Sequence, residues 1–125
     1  MHKILVVDDE IDLLEVIRIF LQRKKFLVEA ISRWENIKNS IVTFSPDLIL
    51  LDISLKGADG RVICKQLKRN KETENIPVLL FSANYGVKET ISEFQADGFI
   101  EKPFDLSKLI SEIESIIERY KGIKS

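Results

Sequence analysis

The chain has 125 residues, of which 45% are hydrophobic, and this fits one domain with a single core. Its 19 basic and 20 acidic residues leave a net charge of −1, so bulk charge does not favour nucleic acid or a membrane surface as a direct partner. Cys64 is the one cysteine, which excludes an internal disulfide and favours a reducing compartment, so we expect a cytoplasmic location. No linker divides the sequence, and we expect residues 1–125 to be one domain with no output domain.

Short apolar runs alternate with helical patterns along the chain. In order, the runs are Ile4–Val7, Phe26–Ile31, Leu48–Leu51, Val78–Phe81 and Phe99–Ile100. Most of them are continuously apolar, which is typical of strands buried on both faces of a parallel sheet. The second run is mixed and predicts a strand with a more exposed face. The first run is too short to be a signal peptide or a membrane span.

The segments between these runs have the spacing of amphipathic helices. Apolar residues from Leu13 to Leu21 predict the first helix, and Ser32–Glu35 matches a capping box that would begin the second. Asp59 is the expected N-cap of a third helix, and Val87–Gln95 is a weaker helical pattern. Asp105 is the expected N-cap of the last helix, whose apolar stripe is the clearest in the chain.

Five successive strand-then-helix units predict an α/β fold, a doubly wound five-stranded parallel sheet with helices on both faces. Ligands of such sheets bind at the carboxyl ends of the strands. The polar residues that follow the apolar runs are Asp8, Asp9, Asp52, Ser82 and Lys102. Taken singly, each would more often be a cap, a turn residue or a surface side chain, but their common edge favours a functional site.

The chemistry of these residues indicates phosphoryl transfer. Two unit charges ~4 Å apart repel by about 4 kcal/mol at an effective dielectric near 20, so the carboxylates of Asp8, Asp9 and Asp52 favour a bound cation or a retained proton. Their hard oxygens favour Mg²⁺ or Mn²⁺ over zinc or copper. Lys102 can neutralise phosphoryl oxygens, Ser82 can donate a hydrogen bond, and an aspartate can attack phosphorus.

Over essentially its whole length the chain resembles the receiver domain of two-component response regulators. The matching pieces, in order, are Ile4–Glu10, Pro46–Asp52, Asp59-Gly60, Ser82-Ala83 and Lys102-Pro103-Phe104. The resemblance implies the flavodoxin-like strand order 2-1-3-4-5. It also implies a Mg²⁺-dependent switch that is phosphorylated by a sensor histidine kinase or a histidine phosphotransfer protein and then changes its binding face for a downstream protein. Such a domain catalyses only its own phosphorylation and dephosphorylation.

The resemblance assigns roles to individual residues of the acidic edge. Asp52 is implied to be the phosphoacceptor and also a metal ligand. Asp9 is implied to bind the metal directly and Asp8 partly through water. The backbone carbonyl of Ser54 is implied to supply a further metal ligand.

Further roles concern the response to phosphorylation. Lys102 is implied to pair with the phosphoryl group, in a cis Lys102-Pro103 peptide, and Ser82 to turn toward it. Phe99 occupies the aromatic switch position, where tyrosine is usual. The chain has Leu55-Lys56 where the family often has Met-Pro, and we expect this to alter the loop more than the chemistry. Gln95 stands where glycine is common.

Two other functions remain open at this point. An aspartate-nucleophile phosphatase of the haloacid dehalogenase type also uses a strand-end Asp, a hydroxyl and a Lys. Such enzymes usually carry a second Asp two residues after the nucleophile, where this chain has Ser54. The other alternative is a receiver-like scaffold that is never phosphorylated, although such proteins typically lack part of the acidic cluster that this chain keeps.

Overall fold

A computed structural model describes residues 1–83 and 92–124. The strands are β1 (Lys3–Val7), β2 (Leu27–Ile31), β3 (Leu48–Asp52), β4 (Ser54–Leu55), β5 (Ala58–Asp59), β6 (Val78–Ser82) and β7 (Gly98–Glu101). Five of them form one parallel sheet in the order β2-β1-β3-β6-β7, while β4 and β5 pair separately as an antiparallel hairpin. With the hairpin left out of the count, this is the expected order 2-1-3-4-5.

Helices cover both faces of the sheet. In the part of the chain that the structure describes, the α-helices are α1 (Ile11–Arg23), α2 (Ile37–Phe44), α3 (Gly60–Arg69) and α4 (Leu106–Lys124). One face of the sheet packs in a core cluster with α1 and α4, and the other face packs in a second cluster with α2 and α3. The doubly wound α/β fold is therefore confirmed. None of the described helices is both long and apolar enough to cross a bilayer.

The continuous apolar runs are buried because alternate residues of each strand enter opposite clusters. Ile4 and Val6 of β1 pack toward α1 and α4, whereas Leu5 and Val7 pack toward α2 and α3. All residues of β3 and β6 are likewise buried. Full burial of one such side chain stabilises the fold by about 1.5–3 kcal/mol, so these strands form a rigid platform for the residues at their ends. β2 is the more exposed edge strand, as its sequence predicts.

Two of the predicted helix caps are confirmed, and one is wrong. The Asp59 carboxylate accepts a hydrogen bond from the backbone N–H of Arg61 at the start of α3. Asp105 accepts one from the N–H of Ser107 at the start of α4. The predicted capping box at Ser32 does not form, because the helical segment starts one residue later, with a 3₁₀ turn at Trp34–Asn36 that has no side-chain cap.

The predicted helix over Val87–Gln95 lies mostly outside the described residues. Its last part, Ser92–Phe94, is a single 3₁₀ turn. Gln95 follows with φ +62°, a left-handed conformation that glycine adopts at lower cost. The glycine that is common at this position in the family thus has a backbone reason.

A buried polar network holds the sheet at the end opposite the acidic residues. The Lys68 ammonium lies 2.8 Å from the Asp97 carboxylate, and the Tyr120 hydroxyl donates to Asp97 at 2.7 Å. Asp97 also accepts from the N–H of Val78, and Lys68 donates to the carbonyl of Ile76. Burial lowers the pKa of Lys68, but its bonds to Asp97 and Tyr120 outweigh this and leave the pKa raised. The network joins α3, β6, β7 and α4.

We predict that Lys68→Met lowers the free energy of unfolding by about 3 kcal/mol, because it leaves the buried Asp97 charge without its cation. The matched control is Arg18→Met, which removes the surface partner of Glu15 on α1 and should leave the free energy of unfolding nearly unchanged. Urea denaturation of both variants measures the difference. Equal losses in the two variants would contradict the structural role of the network.

Candidate functional site

Strand register brings the acidic residues together at the carboxyl edge of the sheet. Val7 pairs with Leu51, so Asp8 and Asp52 follow side by side on neighbouring strands. One carboxylate oxygen each from Asp8, Asp9 and Asp52 lies within 4.8 Å of the other two. The side chains open into a cavity of about 380 Å³, lined by Asp8, Asp9, Glu10, Asp52, Ser54, Ala83 and Lys102. The carboxylates that the sequence singled out thus form one cluster.

Lys102 supplies a positive charge at the same point. Its backbone N–H donates to the carbonyl of Ser82, which fixes it beyond the end of β7. Its ammonium lies 3.2 Å from Asp8 Oδ2 and 3.5 Å from Asp52 Oδ2, and 4.7 Å from the centre of the Phe81 ring. The Lys102-Pro103 peptide bond is cis, as expected. Lys102 therefore reaches both buried carboxylates from a third strand.

Glu10 is a charged member of the site to which sequence analysis assigned no role. Its carboxylate approaches the Lys102 ammonium to 4.0 Å, and its side chain is mostly exposed. Its backbone N–H donates to Asp8 Oδ1 at 2.9 Å. This bond orients Asp8 within the loop before α1, and it is not a helix cap, because the N-cap of α1 is Glu10 itself. The sequence signal that could have indicated this role is the position of Glu10 directly after Asp8 and Asp9.

The chain behind Asp52 is shaped by a close backbone approach. A Cβ atom at Gly60 would lie 2.1 Å from the carbonyl oxygen of Asp52, so only glycine fits there. The Gly60 N–H instead donates to the carbonyl of Ile53 at 2.8 Å. Ser54, in the cavity wall, donates its own N–H to Asp52 Oδ1 at 3.3 Å. The contact explains why a glycine follows Asp59 at this place in the motif.

The two candidate switch residues lie on the neighbouring strands β6 and β7. Ser82 ends β6 and is 1% exposed, next to Ala83 in the cavity wall. Phe99 lies in β7, pairs with Leu80, and packs partly buried against the core cluster on the α2 and α3 face. The structure therefore places Ser82 at the edge that holds the acidic cluster, whereas Phe99 lies outside the cavity, three residues before Lys102.

Burial makes the acidic cluster electrostatically unbalanced. Burial and the neighbouring Asp8 charge raise the pKa of Asp52 to about 7, and Lys102 acts in the opposite direction. Asp8 is fully buried and Asp52 is 3% exposed, so water screens them poorly. In the described part of the chain, Lys102 is the cation that pairs with Asp8 and Asp52, so three carboxylates leave negative charge that it does not offset. The donor atoms are hard oxygens. The residues present therefore fit a small divalent cation of the Mg²⁺ type.

Comparisons with known proteins agree with this geometry. A family model described as the response regulator receiver domain matches residues 4–114. The chain is 31% identical to the DNA-binding dual master transcriptional regulator RpaA of Synechocystis over 95% of this chain and 50% of that protein. It is 33% identical to the phosphate regulon transcriptional regulatory protein PhoB of Escherichia coli over 94% of this chain and 52% of that protein. The chain thus spans about half the length of these relatives.

A solved structure gives the same result. The receiver domain of NtrX from Brucella abortus superposes with a TM-score of 0.82 at 30% identity, over 92% of this chain and 98% of that one. The fold and site define a response regulator receiver, a phosphorylation-dependent switch of two-component signalling. The chain belongs to this family. The alternative of a haloacid dehalogenase-type phosphatase is not favoured.

Proposed function

We propose that Asp52 is the phosphoacceptor of this receiver and that a phosphohistidine of a sensor kinase or a histidine phosphotransfer protein is the donor. The observation that carries the proposal is the position of Asp52, buried at the end of a central strand with Asp8 and Asp9 on one side and Lys102 3.5 Å away. An Asp52 oxygen attacks phosphorus, the P–N bond to the donor imidazole breaks, and the imidazole keeps the electron pair. Water later releases phosphate from Asp52.

The proposed metal ligands are Asp8, Asp9, Asp52 and the backbone carbonyl of Ser54. A bound Mg²⁺ or Mn²⁺ supplies charge neutralisation for the carboxylates and for the incoming phosphoryl oxygens. Lys102, which pairs with Asp8 and Asp52 in the structure, moves its charge to the phosphoryl group. The Ser82 hydroxyl donates to a phosphoryl oxygen. These side chains position the reacting groups and neutralise the charge of the phosphoryl oxygens, which is most of what phosphoryl transfer requires.

We further propose that the 125 residues form one cytoplasmic receiver domain and act on no external substrate. Cys64 is buried, and burial raises the pKa of its thiol to about 12, so it behaves as a small hydrophobic residue. The signal then leaves this domain through a protein surface.

The proposed output surface, which we call the output face, comprises residues 84–95, 99–102 and 106–120, of which 84–91 lie outside the described residues. Of the two groups that sense the phosphoryl, Lys102 belongs to this face and Ser82 directly precedes it in the chain, separated by Ala83. Movement of Ser82 toward the phosphoryl group frees space for Phe99, which has no hydroxyl to anchor it outside. A free-energy shift of about 1–3 kcal/mol changes its population severalfold or more.

We predict that wild-type protein gains the mass of one phosphoryl group on incubation with acetyl phosphate and Mg²⁺, whereas Asp52→Asn gains none. Asparagine keeps the size of the side chain but lacks the nucleophilic carboxylate. The control is Asp47→Asn, which alters a carboxylate near the opposite end of β3, where Asp47 accepts from the N–H of Lys3. Intact-mass spectrometry reads the result, and equal labelling of Asp52→Asn would contradict the assignment.

We predict that beryllofluoride, a phosphoryl mimic, changes NMR amide shifts both around Asp52 and across the output face. Asp52→Asn is the control, because it should abolish both sets of changes. Shift changes confined to the neighbourhood of Asp52 would refute the output face and would favour a passive phosphate carrier.

A further inference from the structure

The loop after Asp52 turns back on itself at Lys56 and Gly57. Leu55 pairs with Ala58, so these two residues are the centre of the β4–β5 turn. Gly57 has φ +80°, the value that a type II turn requires at its third residue. The second residue of such a turn is Lys56, and its N–H is not used within the turn, which is why proline is common there.

The backbone of Lys56 nevertheless makes hydrogen bonds through both its N–H and its carbonyl. Its N–H donates to Asp9 Oδ2 at 2.7 Å, and its carbonyl accepts from the indole Nε1 of Trp34 at 3.0 Å. Trp34 is partly buried against the core cluster on the α2 and α3 face. A Cβ atom at Gly57 would lie 3.7 Å from the same indole nitrogen, so the ring packs closely on the turn. The turn thus connects the packed body of the protein to an acidic residue of the cluster.

Asp9 depends on this bond more than its neighbours do on theirs. Asp8 accepts from the N–H of Glu10 and from Lys102, and Asp52 accepts from the N–H of Ser54 and lies beside Lys102. Among residues 1–83 and 92–124, the group that donates a hydrogen bond to the Asp9 carboxylate is the N–H of Lys56. An N–H directed at a carboxylate also offsets part of the repulsion inside the cluster.

We infer that the backbone amide of Lys56, anchored through its carbonyl by Trp34, is a positioning group that orients the Asp9 carboxylate for the divalent cation. This inference rests on the metal site proposed above. One Asp9 oxygen would keep its hydrogen bond to the Lys56 amide, and the other would be directed toward the cation. Hydrogen bonds to a ligating carboxylate set its orientation, and their loss typically costs 10–100-fold in metal affinity.

The identity of residue 56 gives the inference its specificity. Proline, which is frequent at this place in the family, has no N–H and cannot make the bond to Asp9. The departure to lysine therefore affects the chemistry of the site as well as the loop. The side chain of Lys56 is not part of this role, because the donor is the backbone.

A pair of variants separates the amide from the side chain. Lys56→Pro removes the N–H, and a type II turn accepts proline at this position because the preceding Leu55 is extended. Lys56→Ala keeps the N–H and removes the side chain. Mg²⁺ titrations of the full 125-residue chain, followed by NMR amide shifts, should give the same dissociation constant within twofold for wild type and Lys56→Ala. The dissociation constant for Lys56→Pro should be about tenfold higher. This is the lower end of the 10–100-fold range, because the bond from Lys56 to Asp9 is near solvent.

Three outcomes of the titrations would overturn the inference while leaving the metal site intact. These are equal affinity in all three proteins, equal weakening in both variants, and tighter binding by Lys56→Pro, which would mean that the amide competes with the cation. Failure of wild type to bind Mg²⁺ would instead contradict the proposed function itself.

A second measurement does not depend on the folding of Lys56→Pro. In metal-free buffer, hydrogen exchange of the Lys56 amide should be severalfold faster in Asp9→Ala than in wild type, because the acceptor is gone. Glu15→Ala, on the exposed side of α1, is the control and should leave this rate unchanged. An equal Lys56 rate in Asp9→Ala and wild type would also overturn the inference.

Discussion

Two buried carboxylates that lie side by side are the constraint on which the rest of this structure depends. Asp8 is fully buried and Asp52 nearly so, and at ~4 Å two such charges repel by about 4 kcal/mol at an effective dielectric near 20. Lys102 offsets part of this repulsion, but burial, which is the larger effect, and the Asp8 charge still raise the pKa of Asp52. A cluster of this kind is stable only if the surrounding fold holds it rigidly, and its negative charge favours a bound cation.

The fold meets this requirement from both ends of the sheet. The strands that carry Asp8 and Asp52 are adjacent and fully covered by helices, so their ends have little freedom. Lys102 directly follows β7, and the other end of this strand is held by the network of Asp97 with Lys68 and Tyr120. That network fixes β7 relative to α3 and α4, and thereby fixes the strand from which Lys102 extends. The polar groups at the two ends of the sheet thus differ in kind, one holding the scaffold and the other forming the candidate site.

Much of this arrangement could be predicted from the sequence, because it depends on local patterns joined by one topological rule. Continuous apolar runs predicted the buried strands, and the rule for strand ends predicted that Asp8, Asp9, Asp52 and Lys102 would meet. Contacts between distant segments gave no such signal. The bond from Lys56 to Asp9 spans 47 residues, and the Trp34 indole reaches Lys56 across 22. The capping box at Ser32 was wrong because the segment starts one residue later than the local pattern indicates.

The most direct test of the central claim is the titration of the Asp52 carboxyl itself, followed by carbon-detected NMR with and without Mg²⁺. The account predicts that the pKa of Asp52 is about 7 in metal-free buffer, because burial and the Asp8 charge disfavour its ionised form. Saturating Mg²⁺ should lower this pKa by more than about one unit, since a nearby cation favours the carboxylate. An Asp52 that titrates near the ordinary aspartate value of about 4 in both conditions would contradict the account.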